Sequence, residues 1–257
     1  MAVEQNPIIL TYHSISSSPP PLAVSMSQFS EQMEWLSRNA RVVPLGDVAN
    51  TLKHHDPPLT KTVVLTFDDG YQDFYNEVAP QLRRWGFPAT VFLPSAYCGR
   101  TNSWPGQPRW VDKKPLLRWQ QIEELAREGV QFGSHSVTHP DMTALSDADA
   151  EREMIESKRE IESHTGLPAE FFCYPYGRWN GRVRDLVSRH FGGACSTAAG
   201  IVEPDADPFA LPRVDAHYLR NPACFQSLFT RRFGGYIVLR RTIRRLRGRP
   251  EGYYSRS

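Results

Sequence analysis

The sequence predicts an α/β domain whose largely parallel sheet is covered by helices. Two observations carry that prediction. Short apolar runs alternate along the chain with amphipathic ones of helical period, which is the signature of repeated strand–helix units. Three of the amphipathic runs also stop at a glycine (Gly86, Gly129 and Gly166), where the left-handed conformation that closes a helix costs no side-chain clash.

Taken in order, Pro7–Tyr12 reads as the first strand. Ser27–Asn39 reads as a helix with Ser27 as N-cap and Phe29, Met33 and Leu36 at helical spacing. Thr62–Phe67, rich in β-branched residues, is a strand, and Asp73–Trp85 a helix. Ala89–Leu93 is a third strand, and Tyr97–Pro115, rich in Gly, Pro and Trp, a loop. Leu117–Glu128 is a helix and Val130–Gly133 a short strand. Ser146–Thr165 is a long helix with Ser146 as N-cap and Asp149 at N3 in the manner of a capping box. Phe171–Tyr174 (strand), Gly181–Arg189 (helix) and Gly193–Ser196 (strand) complete the series. This pattern fits an open sheet and a closed barrel equally. In both, ligands gather at the C-terminal ends of the strands.

A chain of 257 residues can build one large α/β core or two small ones. No apolar run approaches the ~20 residues that span a bilayer. No charged segment precedes Ile8-Ile9-Leu10, so no signal peptide is read and a cytoplasmic location is expected. The four cysteines form no Cys-x-x-Cys pair, which argues against a zinc ribbon or a thioredoxin-like motif. The net charge of +2 is uneven: residues 231–257 hold nine arginines and one glutamate, a net of +8, so the rest of the chain carries −6. We therefore expect a body over 1–230 and a basic tail over 231–257.

Four clusters carry chemistry, each at an expected strand end. In Thr66-Phe67-Asp68-Asp69-Gly70 two adjacent carboxylates repel unless something offsets their charge. A divalent cation does so, leaving one aspartate as ligand and the other as general base. The alternative is an ordinary Asp-Asp-Gly surface turn. His135 and His139 are four apart and would present two imidazoles from one face of a helical turn. One carboxylate with two histidines suits a divalent metal, zinc first, with Co, Ni, Fe or Mn compatible. The alternative is two surface histidines. Ser136 stands where a zincin peptidase has its Glu. Pro175-Tyr176-Gly177 could present a backbone N–H to a developing oxyanion. Tyr12-His13 ends the first strand and offers an acid. Together they supply a base, three ligands, an oxyanion donor and an acid, a set for metal-assisted hydrolysis of an amide or ester.

These motifs, in this order, resemble the polysaccharide deacetylases of the NodB-homology type, carbohydrate esterase family 4, over roughly residues 7–215. The resemblance implies a distorted (β/α) barrel in a single domain that removes acetyl groups from N-acetylated sugars of GlcNAc type, or acetyl esters from xylan-like ones. It implies Asp68 as the base that deprotonates the attacking water. Asp69, His135 and His139 would be the metal ligands, and Tyr176, after Pro175, the donor of an N–H to the oxyanion. The sequence departs from the family's pattern twice. Cys173 stands where many members have the arginine that orients the base, and Arg213 is our candidate to replace it. The family's C-terminal acid histidine has no counterpart. The start Ile8–His13 resembles the subgroup that includes poly-N-acetylglucosamine deacetylases, which makes His13 the candidate acid and His217 the second choice.

Other readings keep the same residues: an acetyl-ester esterase, a hydrolase of non-sugar amides, or a carbohydrate-binding protein impaired in catalysis. Trp104 and Trp110 are candidates to stack on sugar rings, whereas Trp119 opens a helix as a core residue. The expected partner is an N-acetylated carbohydrate, and the body gives no reason to expect nucleic acid. The tail mixes apolar and basic residues at helical spacing from Tyr236 to Arg247, which is compatible with a packed or solvated arm or with peripheral membrane contact.

Overall fold

The computed structural model describes residues 6–16, 23–57 and 59–246. Seven parallel strands form a closed barrel: β1 (Ile8–Tyr12), β5 (Thr62–Phe67), β6 (Thr90–Leu93), β7 (Gln131–Ser134), β8 (Phe171–Cys173), β9 (Gly193–Ala199) and β10 (Leu211–Asp215). Neighbours run in chain order from β5 to β10. β1 then pairs with β10 through Leu10 and Val214 and with β5 through all five of its residues, which closes the ring. Short β4 (Arg41–Val42) pairs with the start of β5, while β6 takes the end of β5. A two-stranded parallel pair, β2 (Ser14–Ile15) and β3 (Ala23–Val24), follows β1.

Helices α1 (Met26–Asn39), α2 (Leu45–His54), α3 (Ala79–Trp85), α4 (Trp119–Arg127), α5 (Asp147–Thr165) and α6 (Gly181–His190) occupy the crossovers, followed by α7 (Pro222–Phe225) and α8 (Arg231–Leu246). The main core lies between the barrel and the α1, α3 and α4 side, built on Tyr12, Phe29, Phe67 and Phe74. The barrel interior is filled by Ile9, Val64, Phe92, Cys173, Cys195 and Leu211, all essentially inaccessible. It is therefore a packed core, with chemistry confined to its end.

Helix signals were legible where they are local. Ser146 caps α5 by accepting from the Asp149 N–H, and Gly86 and Gly166 close α3 and α5 in the left-handed conformation. The N-cap of α1 is Ser25, not Ser27: Ser25 is extended and forms a reciprocal capping box with Gln28, which places Ser27 in the first turn. The segment expected as one helix over Asp73–Trp85 begins as a π-helical turn, Phe74–Val78, before α3. α8 inserts Phe233 and Ile237 into the main core. Residues 247–257 of the tail lie outside the described residues. No helix among the described residues is long and apolar enough to cross a membrane.

Candidate active site

The strand ends converge at one end of the barrel. The Asp68 N–H bonds the Tyr12 carbonyl at 2.9 Å, so β5 stays paired with β1 up to the first carboxylate. The chain then turns through Asp69 (φ 69°) and Gly70 (φ 66°). A Cβ on Gly70 would fall 2.5 Å from Leu93 Cδ2, so a larger residue at this positive φ would have to displace that side chain. Both carboxylates are buried.

The two histidines do not share a helical turn, contrary to the reading of their four-residue spacing. The segment after β7 is an irregular loop with Ser136 at φ 67° and His139 at φ 58°. Strand-like bonds brace it, from Ser95 N–H to Ser136 O (3.1 Å) and from Ala96 N–H to Val137 O (3.0 Å). Glu153 of α5 accepts from the N–H groups of Val137 and Thr138 (2.8 Å each) and from the Thr138 hydroxyl (2.7 Å). That loop still brings the imidazoles together, with 3.2 Å between His135 Nε2 and His139 Nε2.

Asp69 Oδ1 lies 3.6 Å from His135 Nε2 and 3.5 Å from His139 Nε2. Ligands about 2.0–2.1 Å from a tetrahedral ion lie roughly 3.3–3.4 Å apart, so this triangle fits one divalent cation. The protonation states also fit. Burial lowers the affinity of both imidazoles for a second proton, and for His139 the neighbouring His135 lowers it further. The Cys173 carbonyl lies 2.6 Å from His135 Nδ1, which takes the ring proton there and leaves Nε2 with its lone pair. Burial raises the Asp69 carboxyl, and the neighbouring His13 and His135 and a Tyr71 hydrogen bond oppose that rise. Tyr71 accepts in turn from Asn102 Nδ2 at 3.1 Å.

A second cluster of donors, Asp68, His135 and Cys173, is equally compact. It fits a cation poorly, because burial pushes the Cys173 thiol far above its ordinary value and Asp68 is already engaged. Arg213, in β10 and buried, grips Asp68 with two parallel bonds, Nη1 to Oδ1 at 2.8 Å and Nη2 to Oδ2 at 2.7 Å. Its own fork is fixed by the Ser196 carbonyl (2.8 Å), Thr66 Oγ1 (3.1 Å) and Cys173 Sγ (3.1 Å). Burial alone would raise the Asp68 carboxyl. The guanidinium overrides burial and holds Asp68 well below the usual carboxylate range.

His13 Nε2 stands 4.0 Å from Asp68 Oδ2 and lines the same cavity, of about 460 Å³. His217 is not among the described residues that line it. Tyr176, after Pro175, is held at φ 57°, and Gly177 follows at φ 67°, where a Cβ would fall 1.8 Å from Thr197 Oγ1. Of seven non-glycine residues with positive φ among the described residues, four (Asp69, Ser136, His139 and Tyr176) surround this site, where strain persists because packing over-determines it. Trp104 is buried, its ring 4.4 Å from that of His139, and the Tyr176 ring approaches His139 at 4.6 Å from another side. It is thus a wall behind His139, while Trp110 is half-buried at the cavity. Trp119 lies away from the cavity, half-buried against the His164 ring. The support from Glu153, Asn102 and Tyr71 was not anticipated from sequence, because those residues lie in segments with no motif of their own.

Comparison with known proteins agrees with this geometry. Residues 55–191 match the family described as polysaccharide deacetylase. The protein YxkH of Bacillus subtilis (strain 168) is 29% identical over 208 residues, covering 80% of this chain and 70% of its own. The poly-beta-1,6-N-acetyl-D-glucosamine N-deacetylase of Escherichia coli (strain K12) is 31% identical over 143 residues, which is 50% of this chain and 20% of that much longer protein. The Streptococcus pyogenes deacetylase PplD, solved in complex with acetate, superposes with a TM-score of 0.70 at 26% identity, covering 84% of this chain and 93% of that one. With its closed parallel barrel and its match over more than half its length, this chain belongs to the polysaccharide deacetylase family and is a carbohydrate deacetylase.

Proposed function

We propose that this protein removes acetyl groups from N-acetylated sugars of GlcNAc type, with Asp69, His135 and His139 holding a divalent cation, zinc first among those compatible. The observation that carries the reading is the division of labour between two adjacent carboxylates. Asp69 faces two neutral imidazole nitrogens, whereas Asp68 faces a guanidinium. A divalent cation at the first group supplies Lewis acidity, polarising the acetyl carbonyl and acidifying water.

The remaining work falls to the protein. Asp68 stays ionised and accepts the proton of the attacking water, its direction fixed by the Arg213 fork. The Tyr176 N–H donates to the oxygen of the acetyl carbonyl as negative charge develops there. His13 carries a proton to the sugar nitrogen as the C–N bond breaks, which frees acetate and an amine. The rings of Trp104 and Tyr176 exclude water from the far side of His139.

Acetate release by metal-loaded protein, compared across GlcNAc oligomers, acetylxylan and small N-acetyl amides, tests the reading. We expect the GlcNAc oligomers to lead and Asp68→Asn to abolish turnover. Release from acetylxylan alone would reassign the bond to an ester. Sugar and metal binding with no release from any substrate would leave only a binding protein. For His13 we expect His13→Ala to retain the metal and lose most turnover, and wild-type turnover in that variant would remove the acid from His13.

A further inference from the structure

We infer that α8 is an interfacial helix that docks the catalytic end of the barrel on an anionic lipid surface. This stands apart from the deacetylase reading and uses none of its residues.

The helix has two apolar faces, and the barrel covers only one. Phe233 and Ile237 are buried in the core, and Tyr236 packs against it, its hydroxyl donating to the Tyr218 carbonyl at 3.2 Å. The Arg240 guanidinium lies 3.4 Å from the centre of the Tyr218 ring, which pins the middle of the helix to the body. On the opposite side Val238, Leu239 and Ile243 are 62%, 57% and 38% exposed. They are three of the five large hydrophobic residues most exposed among the described residues, all within six positions of one helix. At 100° per residue they span a single outward strip.

The charge around the strip selects the partner. Residues 231–257 carry nine arginines against one glutamate; at 100° per residue Arg232 falls within the arc of the strip, more than a turn before Val238, and Arg241 about 60° to its side. An apolar stripe flanked by arginines matches a bilayer interface, where the apolar side chains enter the acyl boundary and the guanidinium groups meet lipid phosphates. A nucleic acid would meet the arginines but leave the apolar strip in water. A second copy of the helix would bring like charges together.

The orientation follows from the packing. Tyr218 belongs to the turn that follows β10, and β10 pairs through Asp215 with Thr11, two residues before His13. α8 therefore packs at the barrel end that holds the cavity.

The test is flotation of the full chain with vesicles of phosphatidylcholine alone and of phosphatidylcholine with 30% phosphatidylglycerol. Flotation is compared with Val238→Ser/Leu239→Ser/Ile243→Ser and with Arg241→Glu. Acetate release from a soluble substrate and the melting temperature report that each variant is folded. We expect binding to the anionic vesicles only. It should weaken by at least about 100-fold in the triple variant, which removes three exposed apolar side chains from the strip, and fall further at high salt. No flotation of the wild-type chain overturns the inference. So does a folded triple variant that floats as well as wild type, which would make the tail a charged arm. Self-association that depends on the same three residues would assign the strip to a second copy and overturn it as well.

Discussion

Replacing Arg213 by methionine separates the pairing of Asp68 from its position. The guanidinium makes two charge-assisted bonds to Asp68, at 2.8 and 2.7 Å, in a fully buried setting. Removing one partner of such a pair costs about 3–5 kcal/mol if the other stays charged. At 1.36 kcal/mol per pH unit this corresponds to roughly two to four units, and the carboxyl meets the cost by taking up a proton. The acid limb of kcat/KM for the metal-loaded enzyme should therefore move up by about two to four pH units. The stability profile should invert. In the wild type the Asp68 pKa lies below its unfolded value, so its contribution is present above about pH 4 and is lost as pH falls. At the upper end of that shift the buried carboxyl of the variant ionises less readily than in the unfolded chain. Stability is then lost as pH rises from about 4 through the raised pKa. Arg213→Lys should fall between the two, since a point charge replaces a planar fork. An acid limb within half a unit of wild type in Arg213→Met would refute the assignment of Arg213 to this pairing.

Three further outcomes follow from the same geometry. Glu153→Gln keeps the shape but weakens three bonds to the loop that carries His139, so zinc affinity measured by chelator competition should fall about 10–100-fold with little change in melting temperature. Gly177→Ala drives a Cβ into the Thr197 side chain at a positive φ, and denaturant unfolding should show a loss of more than about 2 kcal/mol, partly restored by Thr197→Ala. Trp104→Ala should destabilise by about 3–5 kcal/mol, because Trp104 is a buried wall rather than an exposed sugar platform. A variant with unchanged stability and only a raised KM would reverse that view.

Much of the site was legible because its residues are short motifs at strand ends. Asp68 and Asp69 follow a strand rich in β-branched residues, and Pro175-Tyr176-Gly177 follows β8, so the alternation of apolar runs located both. His135 and His139 were located by their spacing, but their helical presentation was not, since backbone angles at Ser136 and His139 depend on Ser95, Ala96 and Glu153 far away in sequence. Arg213 shows the same limit. Its sequence neighbourhood carries no signal of burial against Asp68, 145 positions away, and only the absence of an arginine at Cys173 drew attention to it.

By itself the sequence determined the α/β class, the strand ends at which chemistry gathers, and the residue types that would hold a cation. Those properties are encoded locally, in hydrophobic period, in caps such as Ser146 and in the donor atoms of side chains. Tertiary structure alone decided that the sheet closes, through β1 pairing with β5, and that Arg213 grips Asp68. It also decided that α8 keeps one apolar face outside the core. Each of these rests on contacts between distant segments, whose register is set by packing the whole barrel and not by any stretch of the chain.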